Sequence, residues 1–251
     1  MLQRNFQIVG AIVVVILFAG CRLSPDKNVV DAGGAKIAGD AQAAELDAST
    51  LSEYRKDAQT IELDASTVSE YQGEKLTSID ILPDNSISGP QNVDIEQYRL
   101  EITGLVHNPL SLTYDQALDR EHYRKVVTLH CVEGWDATIL WEGVLIEDLI
   151  DQAGVQDGAV VAIFYAADGY SSSLDIELIR NNRILLAYKM NDATLPPERG
   201  FPFQVVAESK WGYKWVKWVN RIEVSDDANY KGYWESRGYN NQGDLDASKF
   251  E

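Results

Sequence analysis

The segment LHCVEGW (residues 129–135) places a cysteine, a carboxylate and a glycine turn at the end of an apolar run. The β-branched residues 126–131 predict a strand, and strand ends are where a scaffold presents reactive groups. Because neighbouring side chains on a strand face opposite sides, Cys131 and Glu133 can share one site, whereas His130 and Cys131 should not.

Two interpretations of Cys131 remain open from the residues alone. One cysteine with three histidines scattered through the chain makes a poor zinc site. A soft thiolate could instead hold a soft, high-valent metal whose other ligands come from a cofactor. The alternative is a buried structural cysteine, which is common.

A second segment, SKWGYKWVKW (residues 209–218), combines cationic and aromatic side chains. Lys210, Lys214 and Lys217 are spaced i, i+4, i+7, and tryptophans repeat that spacing one residue later. As a turn and a short helix, the segment predicts a cationic edge beside an aromatic face, which suits a phosphate attached to a flat heterocycle. Alternatively, the tryptophans belong to the core and the lysines snorkel outward.

Short runs elsewhere indicate the fold class. A capping box of Thr113 and Gln116 predicts a helix over 114–119, and apolar residues at helical spacing predict another over 143–153, closed by Gly154. Strands are predicted over 98–103, 126–131, 160–165, 184–188, 203–206 and 219–224. Strands mixed with short, irregularly placed helices favour an α+β fold with mixed sheets.

Three motifs together resemble a known family. LHCVEGW, the run AYKMNDATLPPERGFPFQVVAESKWGYKWVKWVNRIEVSDD (residues 187–227) and GYWESRGY (residues 232–239) are similar to the sulfite-oxidase-type molybdopterin-binding oxidoreductase domain. Within that family, the motifs look most like the bacterial branch near the periplasmic methionine-sulfoxide-reducing catalytic subunit. The resemblance covers about residues 79–239, so it applies to nearly all of the predicted globular part.

The resemblance implies a Mo-molybdopterin cofactor and a set of residues that hold it. Cys131 is then the molybdenum ligand, and the loop 211–217 binds the pterin phosphate. The implied cofactor-binding residues are Asn85, His130, Cys131, Arg199, Lys210, Lys214, Trp215, Val216 and Lys217. The implied catalytic residues are Cys131, Glu133 and Tyr170. Glu133 would manage a proton or water, and Tyr170, which follows a turn, would line the mouth of the active site beside Trp135.

Departures from the family pattern bear on the substrate. Sulfite oxidases follow the cysteine with arginines, whereas here no arginine occurs between Arg124 and Arg180. Because sulfite is a dianion, we expect oxygen-atom transfer with a neutral sulfoxide or N-oxide, in the reductive direction. The alternatives are a sulfite-oxidase-like dehydrogenase and a non-catalytic binding lipoprotein that retains the fold.

The N-terminus predicts export and a membrane tether. Residues 8–20, IVGAIVVVILFAG, are all apolar or small, and these 13 residues fall short of the roughly 20 that span a bilayer. With Arg4 before them and Ala19-Gly20-Cys21 at their end, residues 1–20 resemble a lipoprotein signal peptide, with acylation at Cys21. An uncleaved anchor is the alternative, and both place the protein on a membrane outside the cytoplasm.

Residues 21–77 predict an acidic, flexible tether ahead of a domain over 78–251, because they contain few large apolar residues. The tether holds a repeat: AELDASTLSEY (44–54) returns as IELDASTVSEY (61–71), offset by 17 residues with 9 of 11 positions identical. Capping-box spacing in each copy (Thr50 with Glu53, Thr67 with Glu70) is compatible with two short helical turns.

The net charge and the absence of one motif limit the kinds of partner that we expect. The formal net charge of −17 disfavours nucleic acid. The haem-attachment motif CxxCH is absent, so we expect a separate redox partner, such as a membrane haem protein, a cytochrome or a quinone-linked carrier. A basic partner suits the acidic surface, and we expect a monomer.

Overall fold

A computed structural model describes residues 30–31 and 67–251. The predicted signal peptide, Cys21 and the first copy of the repeat lie outside the described residues. The strands are β1 (Val30–Asp31), β2 (Glu70–Tyr71), β3 (Glu74–Lys75), β4 (Leu100–Gly104), β5 (Leu110–Leu112), β6 (His122–His130), β7 (Asp136–Leu145), β8 (Val161–Ala166), β9 (Ser171–Asp175), β10 (Leu185–Met190), β11 (Ala193–Thr194), β12 (Gln204–Val206) and β13 (Val219–Ser225). The α-helices are α1 (Tyr114–Leu118), α2 (Ile146–Ala153) and α3 (Ile176–Asn181).

Two sheets form the architecture. The first is antiparallel, in the order β1-β6-β7-β10-β11, with β12 also paired to β10. The second has the order β5-β4-β13-β8-β9, and its β4–β13 pair is parallel. One apolar core contains Ile139 and Trp141 of the first sheet, Leu100 and Ile222 of the second, and Leu149 of α2. The predicted α+β class with mixed sheets and short helices is confirmed.

All six predicted strands occur with shifted ends, and α1 has the predicted capping box. Thr113 Oγ1 accepts from the Gln116 N–H at 3.2 Å, and Gln116 Oε1 accepts from the Thr113 N–H at 2.9 Å. The predicted start of the second helix at Gly143 is wrong, because β7 continues to Leu145 between β6 and β10. A Cβ at Gly143 would lie 2.3 Å from the Leu186 carbonyl oxygen, so close strand packing explains this glycine.

Residues 67–77, which composition assigns to the tether, contact the domain. The Thr77 N–H donates to the Thr138 carbonyl at 2.8 Å, and the Val68 N–H donates to the Asn191 carbonyl at 3.2 Å. No helical turn forms at Glu70, because this residue starts the β2–β3 hairpin. Within residues 30–31 and 67–251, no helix has both the length and the apolar content needed to cross a bilayer.

Candidate active site

Cys131 lies in the tight turn that joins the two longest strands of the first sheet, β6 and β7. Its N–H donates to the Trp135 carbonyl at 2.9 Å, and its carbonyl accepts from the Gly134 N–H at 3.0 Å. Gly134 has φ +91°, which a side chain would disfavour. The cysteine is 4% exposed and lines a cavity of about 150 Å³.

The wall of this cavity is aromatic. Six of its lining residues carry aromatic rings: Tyr170, Tyr213, Trp215, Trp218, Trp234 and Tyr239. The charged lining residues are Glu133, Asp168 and Lys217, and no arginine of the described chain lines the cavity. One cation therefore faces two carboxylates, and the remaining surface suits an uncharged organic molecule.

Two polar side chains lie near the Cys131 sulfur. Asn85 Nδ2 and Glu133 Oε2 are each 3.9 Å from Sγ, and Trp135 Nε1 donates to the same Glu133 oxygen at 3.4 Å. Burial raises the pKa of the Cys131 thiol. The backbone N–H of Glu133 lowers this pKa, and the Glu133 carboxylate raises it. A metal ion binds the thiolate, so metal binding at Cys131 has to displace this proton.

A second, smaller cavity of about 50 Å³ adjoins the first. The two share Asn85, Gly212, Trp215 and Lys217 as lining residues. Trp135 lines this second cavity and not the one beside Cys131, so the predicted pairing of Trp135 with Tyr170 as one wall is wrong. Trp135 belongs to the Cys131 turn, where its indole N–H donates to Glu133, whereas Tyr170 directly precedes β9 of the second sheet.

The predicted cationic edge in residues 209–218 is also wrong. Only a 3-10 turn, Gly212–Lys214, forms there, and the three lysines point to different carboxylates. Lys210 pairs with Asp244, and Lys214 pairs with Glu235 at 2.8 Å. Both lysines are buried, and a buried ammonium needs such a partner.

Lys217 is the one lysine of this segment that lines either of the two cavities near Cys131. Its Nζ lies 3.5 Å from Asp84 Oδ1 and 4.6 Å from the centre of the Trp218 ring. Burial lowers the pKa of Lys217, while Asp84 raises it. An anionic group beside Lys217 would relieve the cost of burying its charge.

The remaining predicted residues divide into lining and supporting positions. Tyr170 lines the cavity, with its hydroxyl donating to the Tyr213 carbonyl at 2.5 Å, and Asn85 lines both cavities. His130 lines neither cavity, and its Nδ1 is 2.7 Å from Asp136 Oδ1. The Val216 side chain is fully buried in the core.

Arg199 lines the second cavity, yet its hydrogen bonds go to protein carbonyls. Its guanidinium donates to the Pro83 oxygen at 2.8 Å and to the Leu82 oxygen. These bonds hold the loop 82–87, which supplies Asn85 to the site. Burial lowers the pKa of Arg199, and Asp84 and Glu198 raise it.

Sequence reasoning missed three parts of the wall: Tyr213, Trp234 and Tyr239. Two of them belong to GYWESRGY, a motif that carried the family resemblance but received no role. Aromatic residues in a resemblance motif outside the predicted core were the signal that could have identified them.

Comparisons with known proteins point to one family. Residues 87–234 match the family described as oxidoreductase molybdopterin binding domain. The chain is 31% identical over 169 residues to the uncharacterized oxidoreductase YuiH of Bacillus subtilis (strain 168), across 67% of this chain and 84% of the relative. It is 32% identical over 151 residues to a putative protein-methionine-sulfoxide reductase subunit, YedZ1, of Azospira oryzae, across 60% of this chain and 57% of the relative.

A solved structure supports the fold. The sulfane dehydrogenase SoxCD from Paracoccus pantotrophus matches with a TM-score of 0.54 and 25% identity, across 57% of this chain and 41% of that one. The donor set fits a pterin-bound metal. A soft sulfur ligand lies in one cavity, and the adjoining cavity offers the face of Trp215 and the ammonium of Lys217.

Proposed function

The chain belongs to the oxidoreductase molybdopterin-binding domain family, and we propose that it reduces a neutral sulfoxide or N-oxide outside the cytoplasm. As a member of this sulfite-oxidase-type family it is an oxidoreductase with a Mo-molybdopterin cofactor, so the non-catalytic alternative is set aside. The cofactor supplies two-electron oxygen-atom transfer. The aromatic, arginine-free lining of the described cavity beside Cys131 is the observation that carries the substrate assignment.

The charge of the cavity opposes a dianion. Lys217 faces Glu133 and Asp168, and it already interacts with Asp84 at 3.5 Å. A buried anion without paired cations is costly. A neutral oxide keeps its polar oxygen near the metal while its carbon groups pack on the aromatic rings.

The residues near the sulfur have separate roles in this proposal. Cys131 holds the metal, and Lys217 holds the phosphate of the cofactor. The Asn85 amide, a donor 3.9 Å from the sulfur, orients the substrate oxygen. Glu133 Oε2, which lies 3.9 Å from the same sulfur, handles a proton or a water beside the metal.

A second candidate is oxidation of a sulfur compound, which the match to a sulfane dehydrogenase favours. That reaction uses the same metal site in the opposite direction. Because the similarity spans 41% of that chain, it leaves the direction of reaction to experiment.

The N-terminal sequence supports the proposed location at a membrane. A lipid on Cys21 would hold the domain at a membrane, where a separate redox protein exchanges electrons with it. Mass spectrometry of the mature protein tests this: a chain beginning at an acylated Cys21 is expected, and an intact Met1 would indicate the uncleaved anchor.

A kinetic comparison with one cavity variant tests the substrate assignment. We would measure sulfoxide and N-oxide reduction with an artificial donor, and sulfite oxidation with an artificial acceptor. Ile87 lines the cavity, so Ile87→Arg should weaken turnover of neutral oxides and improve sulfite binding. Ile81→Arg is the matched control, because Ile81 is 73% exposed and lines neither cavity. Efficient sulfite oxidation by the unmodified enzyme, without reductase activity, would refute the assignment.

A further inference from the structure

We propose that Ser172, Lys214 and Glu235 form a buried positioning triad that fixes the aromatic wall of the cavity and thereby sets its substrate preference. The proposal rests on the proposed function, because it takes the cavity beside Cys131 as the substrate site. None of the three lines that cavity, so each would act through its neighbours in the chain.

The triad converges on one carboxylate oxygen. Glu235 Oε1 accepts from Ser172 Oγ at 2.5 Å and from Lys214 Nζ at 2.8 Å. Lys214 also donates to the Asn241 carbonyl at 2.8 Å. Each of the three triad residues is at most 1% exposed, so all of these polar groups are removed from water.

Every member of the triad lies within two residues of a ring that lines the cavity. Trp234 precedes Glu235, Tyr213 precedes Lys214 and Trp215 follows it, and Tyr170 lies two residues before Ser172. Each triad side chain is therefore joined to a lining ring by one or two peptide units. We expect displacement of the triad to shift the backbone that carries these rings.

Backbone contacts tie the same segments together. The Tyr233 N–H donates to the Ser171 carbonyl at 2.9 Å, and a Cβ at Gly232 would lie 2.1 Å from that oxygen. The Tyr170 hydroxyl reaches across to the Tyr213 carbonyl at 2.5 Å. Strand β9, the turn at Gly212–Lys214 and the turn at Glu235–Arg237 thus meet at the triad.

Stability alone is a weak reason to bury this pair. Desolvation of two charges often exceeds their attraction, and apolar replacements of such pairs are often neutral or stabilising. A second ion pair in the fold, Lys125 with Glu208, also has a lysine that is only 6% exposed. Because its neighbours do not line the cavity beside Cys131, it provides a matched control.

The test uses the cofactor-loaded enzyme and four variants: Glu235→Gln, Lys214→Met, their double variant and Lys125→Met. Molybdenum content, thermal stability, and KM and kcat for methyl phenyl sulfoxide and dimethyl sulfoxide are measured. For the Glu235→Gln and Lys214→Met variants we expect a KM rise of about tenfold for the aromatic sulfoxide, with kcat and molybdenum retained, because a tenfold change corresponds to the loss of about one aromatic contact. The double variant buries no unpaired charge, so it should regain stability but not KM. Lys125→Met should lose stability with KM unchanged.

Two results would overturn the positioning role. One is recovery of KM together with stability in the double variant, and the other is loss of molybdenum from Lys214→Met alone. Hydrogen exchange of residues 232–239 separates this proposal from the proposed function, since it needs no substrate. Faster exchange in Glu235→Gln but not in Lys125→Met supports the triad even if the enzyme reduces no sulfoxide. Unchanged exchange in Glu235→Gln refutes it.

Discussion

Replacing Arg199 with alanine should open the loop 82–87 over the two cavities. The guanidinium donates to the carbonyls of Leu82 and Pro83, and these are charge-assisted hydrogen bonds. Each such bond contributes about 1.5–3 kcal/mol. Since the arginine is partly exposed, the lower figure applies, and losing both bonds costs about 3 kcal/mol of loop closure. Because 1.4 kcal/mol corresponds to a factor of ten, the open population should rise about 10²-fold.

Limited proteolysis measures this opening directly. Cleavage within residues 82–87 should be about 10²-fold faster in Arg199→Ala, while β4 (Leu100–Gly104) stays uncut and serves as an internal reference. Arg99→Ala is the matched control, because Arg99 also donates to backbone carbonyls, those of Tyr98 and Glu96, and does so outside this loop. If residues 82–87 are cleaved in Arg199→Ala at the rate found in the unmodified protein, the guanidinium does not hold the loop, and its role has to be sought in the cofactor.

Three further substitutions test other parts of the site. Cys131→Ser replaces a soft ligand with a hard one, so molybdenum content by metal analysis and activity should fall while circular dichroism stays unchanged; full activity would remove the thiol from the metal site. Lys217→Ala removes one charge-assisted hydrogen bond of about 1.5–3 kcal/mol, so pterin affinity should drop by about 10–10²-fold, and full pterin content would contradict this. Gly232→Ala places a Cβ 2.1 Å from the Ser171 carbonyl oxygen, so urea unfolding should show a loss of about 1–3 kcal/mol, and an unchanged midpoint would show that the segment can move freely.

The features that sequence predicted well depend on local interactions. The cysteine turn follows a β-branched strand and contains a glycine, and both signals lie within ten residues of Cys131. The same holds for α1, whose capping box involves only Thr113 and Gln116. Alternation along a strand also predicted that Glu133, and not His130, shares the cavity with Cys131.

The lysine segment was predicted less well because its partners are distant. Helical spacing placed Lys210, Lys214 and Lys217 on one edge, but the direction of each side chain is set by a carboxylate elsewhere in the chain. Asp244 and Glu235 lie more than 20 residues away from the lysines they bind, as the 34 and 21 residue separations of these pairs show. No local sequence pattern predicts such distant contacts. Only the folded structure therefore shows that two of the lysines are buried in ion pairs and that the third lines the cavity.

The region around Glu70 shows a second reason why a prediction from sequence can fail. Spacing of Thr67 and Glu70 is typical of a helix start, yet Gln72 and Gly73 have φ of +50° and +88°, which favours a tight hairpin. The hairpin also places the Tyr71 ring against the Arg124 guanidinium, whose carbon lies 4.9 Å from the ring centre. Tertiary contacts of this kind override a short local signal.

Because Cys131 lies on a hairpin, the residue that would hold the metal and most residues that shape the cavity belong to different parts of the fold. The proposed metal ligand, Cys131, directly follows a continuous nine-pair ladder from His122–Val144 to His130–Asp136, whereas most of the cavity wall comes from loops and short turns of other elements. Substitutions in those loops can reshape the cavity while the sulfur keeps its place in the sheet. Evolution could therefore exchange one substrate for another, or reverse the favoured direction of the reaction, without changing the hairpin that carries Cys131. For the same reason, the loop 82–87 and the turn at Glu235–Arg237 are the places to begin directed evolution.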